Sequence, residues 1–435
     1  MIQMIREVNR AESSGMRALL LTLVAMSAPA ASHPSVSTPT TSPGVRILDT
    51  PAPADSAFPQ LAADPRGGFF MTWLETIGGG AGHRLQLSHR ASRGEWEKPI
   101  TVHEGKDFWR NWADFPGLGV FADGSVMVHW LSRSGESTHD YDIRARISRD
   151  EGRTFGESFL VNTDGKQAEH GFVSFAGTER GMALVWLDGR DTKGGGHEGE
   201  HTSGGGAMTL RFAEFLSDGS RVRETQLDGK VCDCCQTTLV NTSKGLLAAY
   251  RDRSDTELRD ISLVRPLDAK PAPRLFSNDG WKIKACPVNG PALAANGDSV
   301  AAVWFTMAGG KARVRAASSR DGGDTFSTAV DVDTVFPVGR VDVASLQGGE
   351  HLITWLGRGE GGAAELKAAR MSASAVLQPA FKVASVSMAR ASGFPRLEVS
   401  GEEAVFAWTE IEPAKLEGDA AAPPPQVRTA VMSLK

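Results

Sequence analysis

The sequence predicts an all-β protein, a seven-bladed β-propeller in which an N-terminal strand completes the last blade. Two observations carry this prediction: a short apolar run ending in an aromatic residue recurs seven times, and the last repeat lacks one strand. The intervals between the aromatic residues are 57, 56, 64, 54, 51 and 53 residues, long enough for four short strands with their turns. The runs end at Trp73, Trp130, Trp186, Tyr250, Trp304, Trp355 and Trp408.

Each repeat has the same internal order. A strand such as "PALAANGD" precedes the apolar run, and an alternating strand such as "RVRAASSR" follows it after a polar loop. A fourth strand, such as "STAVDVD", ends the unit. The aromatic residue therefore stands at the end of the second strand of each blade, where we expect it to wedge between adjacent blades in a structural role.

The two ends of the chain complement each other. The last unit has strands at 394–399, 404–408 and 426–434, and then the chain stops. The stretch "VRILDT" (45–50) precedes the first blade and belongs to no blade of its own. We predict that it supplies the missing outer strand, because this pairing removes an open sheet edge and closes the ring.

Two turns share the pattern Ser-x-Asp-x-Gly-x-Thr-Phe, at 148–155 and 319–326. In each turn the aspartate can accept backbone N–H groups, the central glycine can adopt a positive φ, and the phenylalanine can pack underneath. The residues of this pattern are Ser148, Asp150, Gly152, Thr154 and Phe155, and Ser319, Asp321, Gly323, Thr325 and Phe326.

This turn pattern is the Asp box, and with the propeller repeat the chain resembles the sialidase-like (BNR/Asp-box repeat) superfamily over residues 45–435. The stretches "CDCCQT" and "CPVNGP" are similar to those of bacterial exported sialidase-like proteins of unclear activity. The resemblance implies that the Asp boxes lie between third and fourth strands, on the face away from the active site. It gives them a structural role.

The N-terminus predicts export. Positive charge precedes the apolar run at 18–26, and Ala28-Pro29-Ala30 fits a cleavage site. We therefore expect a signal peptide at 1–30, a disordered linker at 31–43 and the propeller at 44–435; the alternative is an apolar N-terminal helix of the fold. We expect a periplasmic or secreted protein, monomeric, with no integral membrane segment after cleavage. The mild net charge of −5 without a basic stripe excludes nucleic acid as a partner.

In a propeller, the loops from fourth to next first strand share one face with the loops from second to third strand. Arginines, carboxylates, aromatic residues and all four cysteines fall in these loops. We expect a carbohydrate or protein ligand to bind on that face. The candidate ligand-binding residues are Trp109, Arg110, His170, Arg190, Arg251 and Arg253.

The cysteines form a group of their own, because Cys232, Cys234 and Cys235 precede the fourth blade and Cys286 precedes the fifth. Export favours disulfides, and we expect Cys286 to bond to one of the triplet. The remaining two either pair with each other or stay free. The alternatives are a free or redox-active thiol and a soft-metal site, such as copper, built from Cys234 and Cys235 with help from His170.

The resemblance also frames an enzymatic alternative. Sialidases are six-bladed and use three arginines for the substrate carboxylate, a tyrosine nucleophile activated by a glutamate, and an aspartate acid/base. A seventh blade is predicted here, and "AFPQL" (57–61) lacks the arginine of the family's Phe-Arg-Ile-Pro segment. The candidates for such a catalytic group, or for paired carboxylates of another hydrolase or lyase, are Arg190, Arg251, Arg340, Arg396, Asp188, Asp191, Asp252, Asp255 and Tyr141.

We therefore predict an exported propeller that binds a glycan or a protein partner. The first alternative is a glycoside hydrolase using the arginine and carboxylate cluster, and the second is a metal (copper) or redox protein built on "CDCC". No cofactor is predicted. The segment "GGGHEGEHTSGGG" (194–206) contains His-Glu-x-x-His, but glycines cost a helix about 1 kcal/mol each, so we expect a loop over the rim and no catalytic zinc site.

Overall fold

The computed structural model describes residues 44–192, 206–359, 362–411 and 423–435, which belong to one compact unit. They form seven four-stranded antiparallel sheets, each ordered along the chain from inner to outer strand apart from the last. The first strands of all seven sheets line a common central channel with a volume of about 540 Å³. The fold is therefore the predicted seven-bladed β-propeller.

The strands follow the repeat closely. Four short 3-10 turns accompany them in the described residues, at Gly78–Gly80, Ala308–Gly310, Gln347–Gly349 and Arg390–Ser392. The strands are β1 Val45–Leu48; β2 Ser56–Ala63, β3 Phe69–Ile77, β4 Gly82–Arg90 and β5 Ile100–Gly105 (blade 1); β6 Gly117–Val120, β7 Val126–Arg133, β8 Tyr141–Ser148 and β9 Phe159–Leu160 (blade 2); β10 His170–Gly177, β11 Met182–Asp188, β12 Thr209–Phe215 and β13 Arg221–Asp228 (blade 3); β14 Thr238–Thr242, β15 Gly245–Arg251, β16 Ile261–Val264 and β17 Arg274–Leu275 (blade 4); β18 Ala292–Asn296, β19 Ser299–Thr306, β20 Arg313–Ser319 and β21 Val330–Asp333 (blade 5); β22 Gly339–Ser345, β23 His351–Arg358, β24 Ala364–Met371 and β25 Phe381–Ser385 (blade 6); and β26 Arg396–Ser400, β27 Glu403–Glu410 and β28 Gln426–Ser433 (blade 7).

The ring closes as predicted. Strand β1 pairs antiparallel with β28, with Val45 opposite Met432 and Leu48 opposite Thr429. Blade 7 is thus built from both ends of the propeller, in the order β1-β28-β27-β26. This pairing covers the outer edge of β28, which would otherwise present unpaired backbone groups.

The aromatic residues that end the second strands are all buried, with at most 2 % of each side chain exposed. Each packs in an apolar cluster with the preceding blade: Trp130 contacts the cluster of Phe70 and Leu85, and Trp408 contacts that of Leu352. The predicted role as wedges between blades is confirmed.

The two Ser-x-Asp-x-Gly-x-Thr turns connect third to fourth strands and hold the same hydrogen bonds. In the first, Asp150 accepts the backbone N–H of Thr154 at 2.8 Å and its hydroxyl at 2.6 Å. Gly152 has a φ of 83°, and an added Cβ there would lie 2.6 Å from Leu87. Asp321, Thr325 and Gly323 repeat the arrangement over Leu247. Each turn therefore closes over a leucine of the preceding blade.

Some predictions concern residues outside the described ranges. These are the signal peptide (1–30), the linker (31–43) and the histidines His197 and His201 of the glycine-rich segment. In the part of the chain that is described, no helix has the length and apolar character needed to span a bilayer.

Candidate functional site

The loops of the two predicted classes meet on one face of the propeller. The indole of Trp109, before blade 2, donates to the carbonyl of Thr138 in the β7–β8 loop at 2.6 Å. Arg253, in the β15–β16 loop, forms an ion pair with Asp233, before blade 4, at 3.1 Å. We call this side the cysteine face, because Cys232, Cys234, Cys235 and Cys286 lie in its loops.

Three of the seven inner strands are bulged where they leave the cysteine face. The bulges interrupt the register of β2, β10 and β22, and each contains a non-glycine residue with a positive φ. A side-chain oxygen from the preceding blade accepts the N–H of each such residue. The pairs are Phe58 with Thr409 (3.0 Å), Phe172 with Asp114 (2.7 Å) and Arg340 with Asn289 (2.7 Å). These side chains therefore set how neighbouring blades meet at the channel mouth.

Tyr141 lies at the centre of the best-defined polar group on this face. Its hydroxyl hydrogen-bonds to Asp114 at 3.1 Å and to Glu169 at 2.8 Å, so loops from two blades meet on one side chain. The ring stacks on Trp109 with centroids 3.9 Å apart and is fully buried. Burial raises the pKa of Tyr141 well above its usual value, and the two carboxylates add to this effect. The hydroxyl therefore stays protonated as a donor.

Asp114 was missed by the sequence reasoning, as was Glu169, although both lie in loops assigned to this face. Burial raises the pKa of Asp114 well above its usual value, against the hydrogen bond from the N–H of Phe172. Its other oxygen faces Tyr141, and the residue lines the channel. The repeat placed these carboxylates on the correct face, but nothing in the local sequence indicated that they converge on one hydroxyl.

His170 and Arg190 belong to a second polar group, in blade 3. His170 is fully buried, 3.3 Å from Asp164 and 3.8 Å from Asp188. Burial lowers the pKa of His170, but Asp164 and Asp188 outweigh it, so the pKa is raised. Arg190 makes two hydrogen bonds to Asp188, at 2.7 and 2.8 Å. Both cations are paired within the protein, and His170 is not part of the cysteine group.

The remaining candidate arginines do not form a shared carboxylate site. Arg251 is 2 % exposed, and its guanidinium donates to the carbonyls of Asn289, Arg259 and Phe305. Arg340 is 5 % exposed and donates to Ser392, Ala389 and Gly393; burial lowers its pKa to about 10. These donors are occupied by the protein itself. Of the four arginines predicted to bind a substrate carboxylate, Arg190, Arg251 and Arg340 are thus hydrogen-bonded to groups of the protein, whereas Arg396 lines the channel.

Arg396 differs from the other candidate arginines, because it lines the channel. Its side chain is 27 % exposed and lies 3.5 Å from Asp342. Next to it, burial raises the pKa of Glu398 to about 7, and Asp342 adds to the effect. The channel wall thus carries a cation and two carboxyl groups.

The other predicted residues have separate surroundings. Asp252 accepts the hydroxyl of Ser262 at 2.8 Å, and burial raises its pKa. Arg110 is exposed over the ring of Phe58. Asp191 and Asp255 are surface residues that pair with lysines. Asp188 in blade 3 and Asp252 in blade 4 contact different partners, so the structure does not bring them together as a carboxylate pair.

The cysteines form a buried sulfur group. One ligand atom from each of Cys232, Cys234 and Cys235 lies within 4.8 Å of the others, and the three residues are at most 6 % exposed. The closest sulfurs, of Cys232 and Cys235, are 3.3 Å apart, whereas a disulfide bond is about 2.05 Å long. No disulfide is formed among the four cysteines, all of which are described. A disulfide between Cys286 and one of Cys232, Cys234 and Cys235 is not formed in the structure, and it stays a prediction.

A guanidinium contacts this sulfur group, and sequence reasoning missed it. Arg259 is 1 % exposed and donates to the sulfur of Cys232 at 3.2 Å. Burial raises the pKa of Cys234 and of Cys235. For Cys232 burial is outweighed by hydrogen bonds from the other two thiols and by the charge of Arg259, which lower its pKa. One sulfur of the three therefore has thiolate character.

An aromatic group lies beside the sulfur group at the channel mouth. Trp112 is partly exposed and stacks on Phe394 with centroids 6.1 Å apart. The guanidinium of Arg340 lies 5.0 Å from the Trp112 ring, and that of Arg390 lies 5.9 Å from it. Trp112 and Phe394 pack in the same apolar cluster as the three buried cysteines. The sulfur group and the mouth of the channel are therefore one continuous region.

No protein-family model and no curated protein matches the chain. Solved structures do match. The BP39L lectin from Burkholderia pseudomallei is 11 % identical, with 88 % of this chain and 97 % of the lectin covered and a TM-score of 0.55. The polysaccharide lyase Uly1 is 9 % identical, with 86 % and 90 % covered and a TM-score of 0.52. The Hadza microbial sialidase Hz136 is 13 % identical, with 80 % and 73 % covered and a TM-score of 0.46. At these identities the likeness shows the propeller fold alone.

Proposed function

We propose that this chain is an exported propeller that binds a carbohydrate at the channel mouth on its cysteine face, without hydrolysing it. The observation that carries the proposal is the partly exposed ring of Trp112, which stacks on Phe394 in the wall of a channel of about 540 Å³ lined with hydrogen-bonding side chains. A binding site for a ligand the size of a sugar combines an aromatic surface with a few polar groups in fixed positions. The polar side chains of the channel wall include Gln60, Asp114, Gln236, Asp342, Arg396 and Glu398.

The charged side chains near the channel mouth indicate which class of carbohydrate binds there. Arg390 and Arg110 are exposed near the aromatic rings of this face, and Arg396 lines the wall below. Guanidinium groups bind carboxylates with two parallel hydrogen bonds. We therefore propose that the preferred carbohydrate is acidic.

The burial of the candidate catalytic side chains favours binding of the carbohydrate over its hydrolysis. In sialidases a glutamate activates the tyrosine nucleophile, and Glu169 is hydrogen-bonded to the hydroxyl of Tyr141. The ring of Tyr141 is fully buried, however, and its hydroxyl lies between the carboxyl groups of Glu169 and Asp114. Arg190, Arg251 and Arg340 are committed to internal partners. A substrate would find neither the nucleophile nor the carboxylate clamp accessible.

A glycan array followed by calorimetry tests the proposal. We expect binding of acidic glycans, and we expect Trp112→Ala to weaken it by at least about tenfold. Trp96→Ala is the matched control, since Trp96 is also partly exposed but lies in the β4–β5 connection, of the class on the opposite face. Equal binding by both variants contradicts the assignment of the site. Absence of glycan binding leaves a protein partner as the ligand of this face.

A further inference from the structure

The sulfur group on the cysteine face is compact enough for its three sulfurs to bind one metal ion. A metal ion bound to thiolates at about 2.3 Å holds its sulfurs almost 4 Å apart, whereas a disulfide brings them to about 2.05 Å. The three sulfurs of Cys232, Cys234 and Cys235 all lie within 4.8 Å of one another. Those of Cys232 and Cys235 are 3.3 Å apart, longer than a disulfide bond and shorter than the separation of metal-bound thiolates. A single disulfide would use only two of these three neighbouring sulfurs.

The donor set is uniformly soft. Within the described residues, no histidine or carboxylate belongs to the group of Cys232, Cys234 and Cys235. Thiolate ligands select Cu(I), zinc or iron–sulfur clusters over magnesium, calcium or manganese. Three buried sulfurs suit a three-coordinate ion, whereas structural zinc requires four ligands.

Two buried guanidinium groups close to the sulfurs reduce the electrostatic cost of a negatively charged metal centre. Arg259 donates to the sulfur of Cys232 at 3.2 Å, and Arg251 is buried in the same region with its guanidinium bonded to the carbonyl of Arg259. One Cu(I) with three thiolates carries a charge of −2. Arg259 and Arg251 are the guanidinium groups that act on the sulfur of Cys232, and they offset part of this charge, because Arg259 also pairs with Glu257 at 2.8 Å. An isolated charge of this size would not be tolerated in an apolar interior.

A route for the ion is present as well. Cys286 is exposed, and its side chain lies close enough to Cys234 to contribute to the raised pKa of the Cys234 thiol. A surface sulfur close to the buried group provides a place where a thiol-bound ion arrives before it is transferred inward.

We propose that Cys232, Cys234 and Cys235 bind one Cu(I) ion, with Cys286 as the surface ligand that passes the ion to them. Binding forms three Cu–S bonds and releases the thiol protons to solvent. The ion remains Cu(I) throughout, so no electron donor or acceptor is needed. The three sulfurs do not line the channel of the proposed carbohydrate site, although they pack in the same apolar cluster as Trp112 and Phe394 at its mouth.

The reduced full chain, kept free of oxygen, tests the proposal by competition for Cu(I) against a chromophoric chelator. We expect one Cu(I) per chain, with an X-ray absorption spectrum of three sulfur neighbours and no nitrogen or oxygen. Cys235→Ser should weaken binding by about 100-fold or more, and Cys286→Ser should slow uptake while leaving the equilibrium affinity within a few-fold.

The spectrum of the unaltered chain keeps the test valid if a buried cysteine variant does not fold. Failure of the reduced chain to bind Cu(I) overturns the proposal. A four-sulfur site that takes Zn²⁺ in preference to Cu(I) overturns it too. So does a mature protein that holds two disulfides and, after their reduction, still binds no copper.

Discussion

The two faces of the propeller use polar residues in opposite ways. On the face of the third-to-fourth connections, Asp150 and Asp321 bond within their own turns, to residues four positions away. On the cysteine face, Asp114 bonds to Phe172 and Tyr141, which are 58 and 27 positions away. The first arrangement is local, exposed and repeated. The second joins neighbouring blades and is buried. Thr409 and Asn289 make the same contact to a bulge residue, and Asp114 in addition bonds to the hydroxyl of Tyr141. One face is therefore held by hydrogen bonds within single turns, and the other by hydrogen bonds between neighbouring blades.

Replacing Asp114 should give the largest effect on stability. Asp114→Ala leaves the buried N–H of Phe172 without an acceptor, which costs about 1–3 kcal/mol, and it removes one of the two carboxyl partners of the Tyr141 hydroxyl, which keeps Glu169. We expect the free energy of unfolding to fall by about 3 kcal/mol, measured by urea denaturation. Asp114→Asn, which keeps an acceptor for Phe172, should lose clearly less. Equal losses would show that the carboxyl oxygen facing Tyr141 matters more than the bulge contact.

The arginines offer a second contrast within the cysteine face. Arg251→Met removes a buried guanidinium from three carbonyls, and we expect a loss of about 2 kcal/mol in unfolding free energy with glycan affinity unchanged. Arg396→Met, on the channel wall, should do the reverse and weaken glycan binding by about tenfold with little effect on stability. Thermal unfolding and calorimetry on both variants decide this. A loss of affinity in Arg251→Met alone would restore Arg251 as a ligand-binding residue.

Stability against pH distinguishes Glu398 on the channel wall from Asp150 in its turn, because their carboxyl pKa values shift in opposite directions. Burial raises the pKa of Glu398 to about 7, so the folded state holds its proton more tightly than the unfolded chain. The stability of the folded state is therefore highest below about pH 4.5 and falls as pH rises through 7. Glu398→Gln should flatten the profile over this range. A profile that Glu398→Gln does not change would mean that water in the channel solvates the carboxylate.

The smallest effect is expected on the opposite face. Hydrogen bonds from Thr154 lower the pKa of Asp150 to about 2, so its contribution is present at neutral pH and is lost only as pH falls below 4. Asp150→Ala should lower the Tm less than Asp114→Ala does and leave glycan binding unchanged. A change in glycan binding would be inconsistent with the division between the two faces.

Much of the fold could be predicted because the repeat is local. The seven aromatic residues, the two Asp-x-Gly-x-Thr turns and the strand at 45–48 each show a pattern readable within a few residues, and the structure places them as expected. The site could not be predicted in the same way. That Asp114 and Glu169 meet at Tyr141, or that Arg259 meets Cys232, depends on how blades pack across the channel mouth. The same packing explains why Arg251 and Arg340, chosen for their charge, serve backbone carbonyls instead.

The structure of the protein with its tightest-binding glycan tests the central claim most directly. We predict a sugar ring stacked on Trp112 at the channel mouth, with a carboxylate of the glycan in contact with Arg390 or Arg396. A glycan bound on the opposite face, near the Asp150 or Asp321 turn, would contradict the claim that the cysteine face is the functional one.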